Sequence, residues 1–223
     1  GIRFHTDAVQ APAWLDLNFS ELGVCAMSIS GHKVGGPHGI GALIISRDCH
    51  VTPLIHGGGQ ERDVRSGTLD APAIVGFATA LEITSARRSE TVARVSALRD
   101  DLVTRVMQIA PDAIYTGSKI YRLANNAHFI FPGCLGDSLL MLLDAQGVEC
   151  SVGSACNAGV PQPSHVLLAM GADDDAARST LRFSLGSTTT QADVDKLIEV
   201  LPSAIERAKR AGVPKLTTAP VRA

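Results

Sequence analysis

Ser28-Ile29-Ser30-Gly31-His32-Lys33-Val34-Gly35-Gly36-Pro37 is the stretch on which the fold turns. The apolar run Cys25–Ser30 predicts a strand, and it delivers a lysine directly into a glycine-rich turn. A lysine in a loop is ordinarily a solvated surface residue. Its neighbours give this one a different meaning. Ser30 and His32 are short polar groups able to bind a phosphate beside an amine. Gly35-Gly36-Pro37 lets the chain wrap closely around a ligand.

Working outward, Ile2–Thr6 and Ile40–Ser46 are predicted as two further strands. Runs this continuously apolar suggest a sheet buried on both faces, as in α/β proteins. Just past the first strand stand Asp7 and Gln10, a D-x-x-Q motif placed to meet the same pocket as Lys33. An amine that can condense with an aldehyde and a carboxylate that can keep a pyridine nitrogen protonated are the two requirements of pyridoxal phosphate (PLP) chemistry. Lys33 supplies the first, Asp7 suits the second, and Gln10 is able to reach the ring hydroxyl. Burial and nearby cations are expected to lower the Lys33 pKa so that it can attack.

The bulk numbers leave room for this chemistry and exclude others. The 223 residues are 45% hydrophobic and 19% charged, an ordinary globular composition. A formal charge of −2 offers no electrostatic case for nucleic acid or an anionic membrane. No apolar run approaches the roughly 18 residues of a membrane span, and no secretory leader is visible. Five cysteines, none in a C-x-x-C pair, argue for reduced thiols in the cytoplasm rather than a disulfide framework or a metal site. The abrupt start at Gly1-Ile2-Arg3 is read as a strand already under way, with an upstream part expected.

From about Ala71 the pattern becomes helical. Apolar residues from Ile74 through Ile109 recur at three- and four-residue spacing, with Arg87, Arg88 and Glu90 interrupting them. Two helices or one bent helix are expected there, linking two domains. Beyond Pro111, predicted strands cover Ala113–Tyr115, Ala127–Phe131, Val148–Ser151 and Thr180–Ser184. Predicted helices cover Asp137–Gln146, Ser164–Met170 and Gln191–Arg210. Thr190 and Asp193 have the spacing of a capping box at the start of the last helix. The domain expectation is residues 1–85, residues 86–212, and a frayed tail over 213–223.

Two residues in the second half carry candidate chemistry. Cys156 sits among small residues in Gly153-Ser154-Ala155-Cys156-Asn157-Ala158-Gly159, surroundings that favour an accessible thiol over a packing one. Cys25, Cys134 and Cys150 lie in or beside apolar strands and are read as packing; Cys49 is read as a surface-loop thiol. Arg182 alternates with apolar neighbours in Leu181-Arg182-Phe183-Ser184, a pattern equally consistent with a solvated strand arginine. His56-Gly57-Gly58-Gly59 has the form of a hydrolase oxyanion loop, but no G-x-S-x-G accompanies it. A loop near the active site is the better reading.

With these motifs set side by side, the chain resembles the NifS/IscS-like cysteine desulfurases, which are class-V aminotransferases of PLP-dependent fold type I. The likeness runs through H-T-D-A-V-Q, S-I-S-G-H-K-V-G-G-P-H-G-I-G-A-L, H-G-G-G-Q-E-R-D-V-R-S-G-T-L, S-V-G-S-A-C and L-R-F-S-L-G, to about Gly212. It implies the aspartate aminotransferase-like α/β fold, here a partial large domain plus a small α+β domain at the C-terminal end. Asp7, Gln10, Ser30, His32 and Lys33 are then PLP residues, and Thr68 contacts the phosphate across a homodimer interface. Arg182 grips the carboxylate of L-cysteine; Arg65 serves the phosphate loop or the interface. Lys33 and Cys156 are the catalytic pair, with sulfur leaving as a Cys156 persulfide. The stretch Asn157–Gln162 is similar to the subgroup whose cysteine rides on an extended loop, suited to passing sulfur to an acceptor or scaffold protein for iron–sulfur cluster assembly or tRNA thiolation.

The same resemblance implies an upstream half contributing ring stacking and a first phosphate turn, so this stretch alone is expected to bind PLP weakly or not at all, which leaves open that it is inactive by itself. Other fold-type I enzymes stay open: a selenocysteine lyase, a kynureninase-like hydrolase or an aminotransferase, none of which needs a thiol at 156. So does a chain that acts only as a binding partner.

Overall fold

The computed structural model describes residues 2–152 and 163–211. They fall into two compact units that meet at Val92/Ala93. That boundary lies inside a continuous helix, α1 (Ala71–Ile109, 39 residues).

In the first unit β1 (His5–Asp7), β2 (Ala26–Ser30) and β3 (Gly41–Ile45) form a three-stranded sheet in that order. β1 runs parallel to β2, with Asp7 opposite Ser28, and β3 returns antiparallel, with Gly41 opposite Ser30. The C-terminal ends of β1 and β2 therefore lie together. The expectation of a sheet buried on both faces is not met. Only Ala26 and Met27 of the sheet are buried, while Leu43 of β3 is 48% exposed. The two buried residues lie on β2, the central strand, whereas β1 and β3, the two edges, carry no buried residue. The core of this unit is completed by Ala8, Val34 and Phe77.

In the second unit β4 (Ile114–Tyr115), β5 (Asn126–Ile130) and β6 (Thr180–Ser184) make an antiparallel sheet with β5 at its centre. The long α5 (Gln191–Ala211) packs with α2 (Gly136–Asp144), which also touches β6. The buried face of α5 reads Val194, Leu197, Val200, Leu201, Ala204, Ile205 and Ala208, the three- and four-residue spacing of an amphipathic helix. In the last turns of α1, Val95, Leu98, Leu102 and Val106 repeat it. Phe129, Leu139, Leu143, Leu181 and Leu201 are wholly buried. One half of the capping box at α5 forms: Asp193 Oδ2 accepts from Thr190 N at 2.8 Å, and also from Thr190 Oγ1 at 2.9 Å. Two short helices, α3 (His165–Ala169) and α4 (Asp174–Arg178), precede β6. The strand expected over Val148–Ser151 reduces to one bridge, Ser151 with Arg182. Among the described residues no helix is long and apolar enough to cross a membrane.

Candidate functional site

β2 ends at Ser30, and the chain turns at once into a short 3-10 helix, Gly31–Val34. Gly31 is obligatory there. A Cβ on it would stand 2.7 Å from Ile40 Cγ2 and 2.9 Å from the Pro37 carbonyl oxygen. Gly35 closes the turn in the left-handed region at φ 79°, donating its N–H to the Gly31 carbonyl. The turn is held from below by α1. Thr84 Oγ1 donates to the Val34 carbonyl at 3.0 Å, and Gly76 leaves room for Pro37, whose Cγ would lie 2.9 Å from a Cβ there. Arg88 ties α1 to the segment after β1, donating to the Pro12 carbonyl at 3.0 Å.

This frame brings five of the predicted residues to one end of the sheet. Asp7 closes β1, and Gln10 follows it. Ser30 closes β2, and His32 and Lys33 ride on the turn. Sites in open α/β sheets form just beyond the carboxyl ends of parallel strands, as here. Asp7 Oδ1 accepts the Val9 N–H at 3.0 Å, which fixes the carboxylate against its own loop. Ser30 Oγ and His32 Nδ1 share a hydrogen bond of 2.7 Å. That bond sets the ring orientation and leaves Nε2 for another partner. Among the described residues no cation pairs with Asp7 and no acid pairs with Lys33. The burial expected at Lys33 is not supplied by the first unit: Lys33 is exposed.

Thr68 lies at the end of a second loop. Ser66 is buried and donates its N–H to the Ile55 carbonyl at 3.1 Å, while Gln60 Oε1 accepts the Gly67 N–H at 2.9 Å. Between them Glu61, Arg62 and Asp63 all adopt positive φ, an uncommon run for non-glycine residues. Thr68 and Arg65 are exposed.

In the second unit Arg182 is the middle residue of β6, with His128 as its cross-strand partner on β5. It is half-buried, not solvated, and its Nε is sealed from solvent without a hydrogen-bond partner among the described residues. Its backbone anchors Ser151 through two hydrogen bonds, Arg182 N to Ser151 O at 2.7 Å and Ser151 N to Arg182 O at 3.1 Å. His128 Nδ1 shares a hydrogen bond with Thr116 Oγ1 at 2.7 Å. Burial, with the nearby Arg182 and Arg122 charges, pushes its pKa down to about 4. Cys156 and the Asn157–Gln162 stretch lie outside the described residues. Cys134 is fully buried, and burial pushes the Cys150 thiol up to about 11, as packing cysteines require.

Three residues near the sites escaped the sequence reading. His38 stacks on His32, centroids 5.6 Å apart and planes 9° from parallel; its place in G-G-P-H-G was the available signal. Gln60, the clamp of the Thr68 loop, stood in the quoted H-G-G-G-Q-E-R motif. His128 becomes visible only through strand register, which no local pattern gives.

Residues 1–197 match the family model described as Aminotransferase class-V. The chain belongs to that family. Among class-V relatives, it is 55% identical over 214 residues to the IscS-like cysteine desulfurase of Mycobacterium tuberculosis, covering 96% of this chain and 54% of that protein. Its fold is similar to the NifS-like protein from Rickettsia africae, with TM-score 0.83 and 33% identity over 92% of this chain and 54% of that one. A structure described as SspA in complex with cysteine is similar at TM-score 0.63 and 34% identity, over 85% of this chain and 52% of that one. The chain thus spans about half the length of the relatives it matches. The residues at the sheet end fit the cofactor that class-V chemistry implies: an amine and a carboxylate with no ion-pair partner among the described residues, and a hydroxyl–imidazole pair.

Proposed function

We propose that this chain is the lysine- and thiol-bearing part of a cysteine desulfurase. The protein would convert L-cysteine to L-alanine and carry the sulfur off as a Cys156 persulfide. The observation that carries this reading is Asp7 and Lys33, neither ion-paired among the described residues, at one end of two adjacent parallel strands. The named class-V relatives support it.

PLP, when bound, supplies an electron sink conjugated to the substrate Cα. Lys33 would hold its aldehyde carbon through Nζ and afterwards move protons at the substrate. Asp7 would face the pyridine nitrogen and keep it protonated, its carboxylate already fixed by the Val9 N–H. Gln10 would hydrogen-bond the ring hydroxyl. Ser30 Oγ and His32 Nε2 would take the phosphate, joined by Thr68 from the second subunit of a homodimer. Arg182, whose Nε lacks a partner among the described residues, would grip the substrate carboxylate. Cys156, as thiolate, attacks the substrate sulfur: an S–S bond forms as the C–S bond breaks, and a proton replaces sulfur on the alanine product. An acceptor or scaffold protein serving iron–sulfur cluster assembly or tRNA thiolation would then collect the outer sulfur, in the cytoplasm.

Full-length protein with PLP and L-cysteine tests this. Alanine and protein-bound persulfide should appear in step, and Cys156→Ala should abolish both. Undiminished turnover of cysteine by Cys156→Ala would replace the desulfurase with another fold-type I activity.

A further inference from the structure

We propose that Cys25 and Cys49 form a covalent modification site, closing a reversible intramolecular disulfide when the protein meets an oxidant of the peroxide class. Cys25 immediately precedes β2, and its carbonyl accepts the Ser46 N–H at 3.0 Å, which extends the β2–β3 ladder one pair beyond Ala26 and Ile45. The Cys49 N–H then returns to the Ser46 carbonyl at 3.0 Å. That tight turn over 46–49 folds Cys49 back onto the strand end where Cys25 sits. A turn of this kind keeps the Cα atoms of Ser46 and Cys49 within about 7 Å, and Ser46 stands opposite Cys25 at the end of the ladder, so Cys49 is brought to the neighbourhood of Cys25, as a disulfide requires.

The Cys25 side chain is the largest cause pushing the Cys49 pKa up, in keeping with this placement. Cys25 Sγ also donates to the Phe4 carbonyl at 3.1 Å, which fixes its position. Both cysteines are half-buried, so a small oxidant can reach them, and both are free thiols. Cys134, by contrast, is sealed in the core.

The chemistry balances within the pair. One sulfur, as thiolate, attacks the peroxide O–O bond, taking one oxygen as a sulfenic acid while the other leaves as water. The second sulfur displaces that oxygen as a second water, and the S–S bond forms. Two electrons and two protons leave the thiols, and one peroxide becomes two waters. The bond would close a ring over residues 25–49, which contains β2, the Lys33 turn and β3. Closing that loop restricts the unfolded chain and stabilises the first unit.

The test is peroxide treatment of the full-length protein, in wild-type and Cys156→Ser backgrounds. Alkylation and tryptic mapping without reductant follow. The expected product joins peptides Phe4–Lys33 and Asp48–Arg62, two hydrogens lighter than their sum, and dithiothreitol releases it. Oxidised protein should melt several degrees above reduced protein, and Cys49→Ser and Cys25→Ser should lose both the crosslink and that rise. Separately alkylated Cys25 and Cys49, or either one bonded mainly to another cysteine, would overturn the proposal.

Discussion

His128 and Arg182 face each other across β5 and β6, and the imidazole stays neutral beside the guanidinium. Burial is the larger cause of that neutrality, followed by the Arg182 charge. The pairing leaves Arg182 without an anion among the described residues while it holds Ser151, two residues before the Cys156-bearing stretch, in place.

A pH dependence of stability follows from the His128 shift. With its folded pKa near 4 against an ordinary 6.5, the unfolded chain takes up a proton that the folded chain refuses. Stability is therefore fully present above pH 6.5 and falls as pH drops towards 4, by roughly 3 kcal/mol at most. Urea unfolding between pH 7.5 and 4 should show this slope, and His128→Asn should flatten it.

Arg182→Lys keeps the charge but removes the bidentate fork. Steady-state kinetics of full-length protein should show kcat/KM for L-cysteine reduced ~10–100-fold, as expected for losing hydrogen bonds to a charged group. Most of that loss should appear in KM. An unchanged KM would move carboxylate recognition to another residue.

Gly31→Ala places a methyl group against the Pro37 carbonyl and Ile40. It should destabilise the fold by about 1–3 kcal/mol, as overpacking does, and weaken PLP binding by displacing the Lys33 turn. Thermal melting and absorbance of the bound cofactor check the two effects separately.

Asp193→Ala removes the acceptor of both Thr190 hydrogen bonds at the start of α5. The expected loss is about 1 kcal/mol of stability, read from chemical denaturation, with no change in KM.

Much of this was legible because local chemistry sets it. The lysine turn, β6 and the α5 cap are decided by residues within a few positions of one another. What escaped depended on partners distant in sequence or on elements too short for periodicity. Arg87, Arg88 and Glu90 left two helices or one bent helix open, and the single helix α1 runs through them, with Arg88 satisfied by the Pro12 carbonyl and Asp16. α4 has only five residues, and its one signal is the Asp173 cap, which accepts the Ala176 N–H at 2.8 Å. The apolar runs of β1 and β3 foretold burial that is not observed, because side-chain burial depends on what packs over each face, which an apolar run does not specify.

Borohydride reduction of the full-length protein with PLP, followed by mass mapping, tests the central claim most directly. The phosphopyridoxyl group should sit on Lys33, blocking cleavage there and yielding the peptide Phe4–Arg47 with the added mass. Label on Lys119, Lys196, Lys209, Lys215 or any other lysine in its place, or no label on any lysine, would contradict the account.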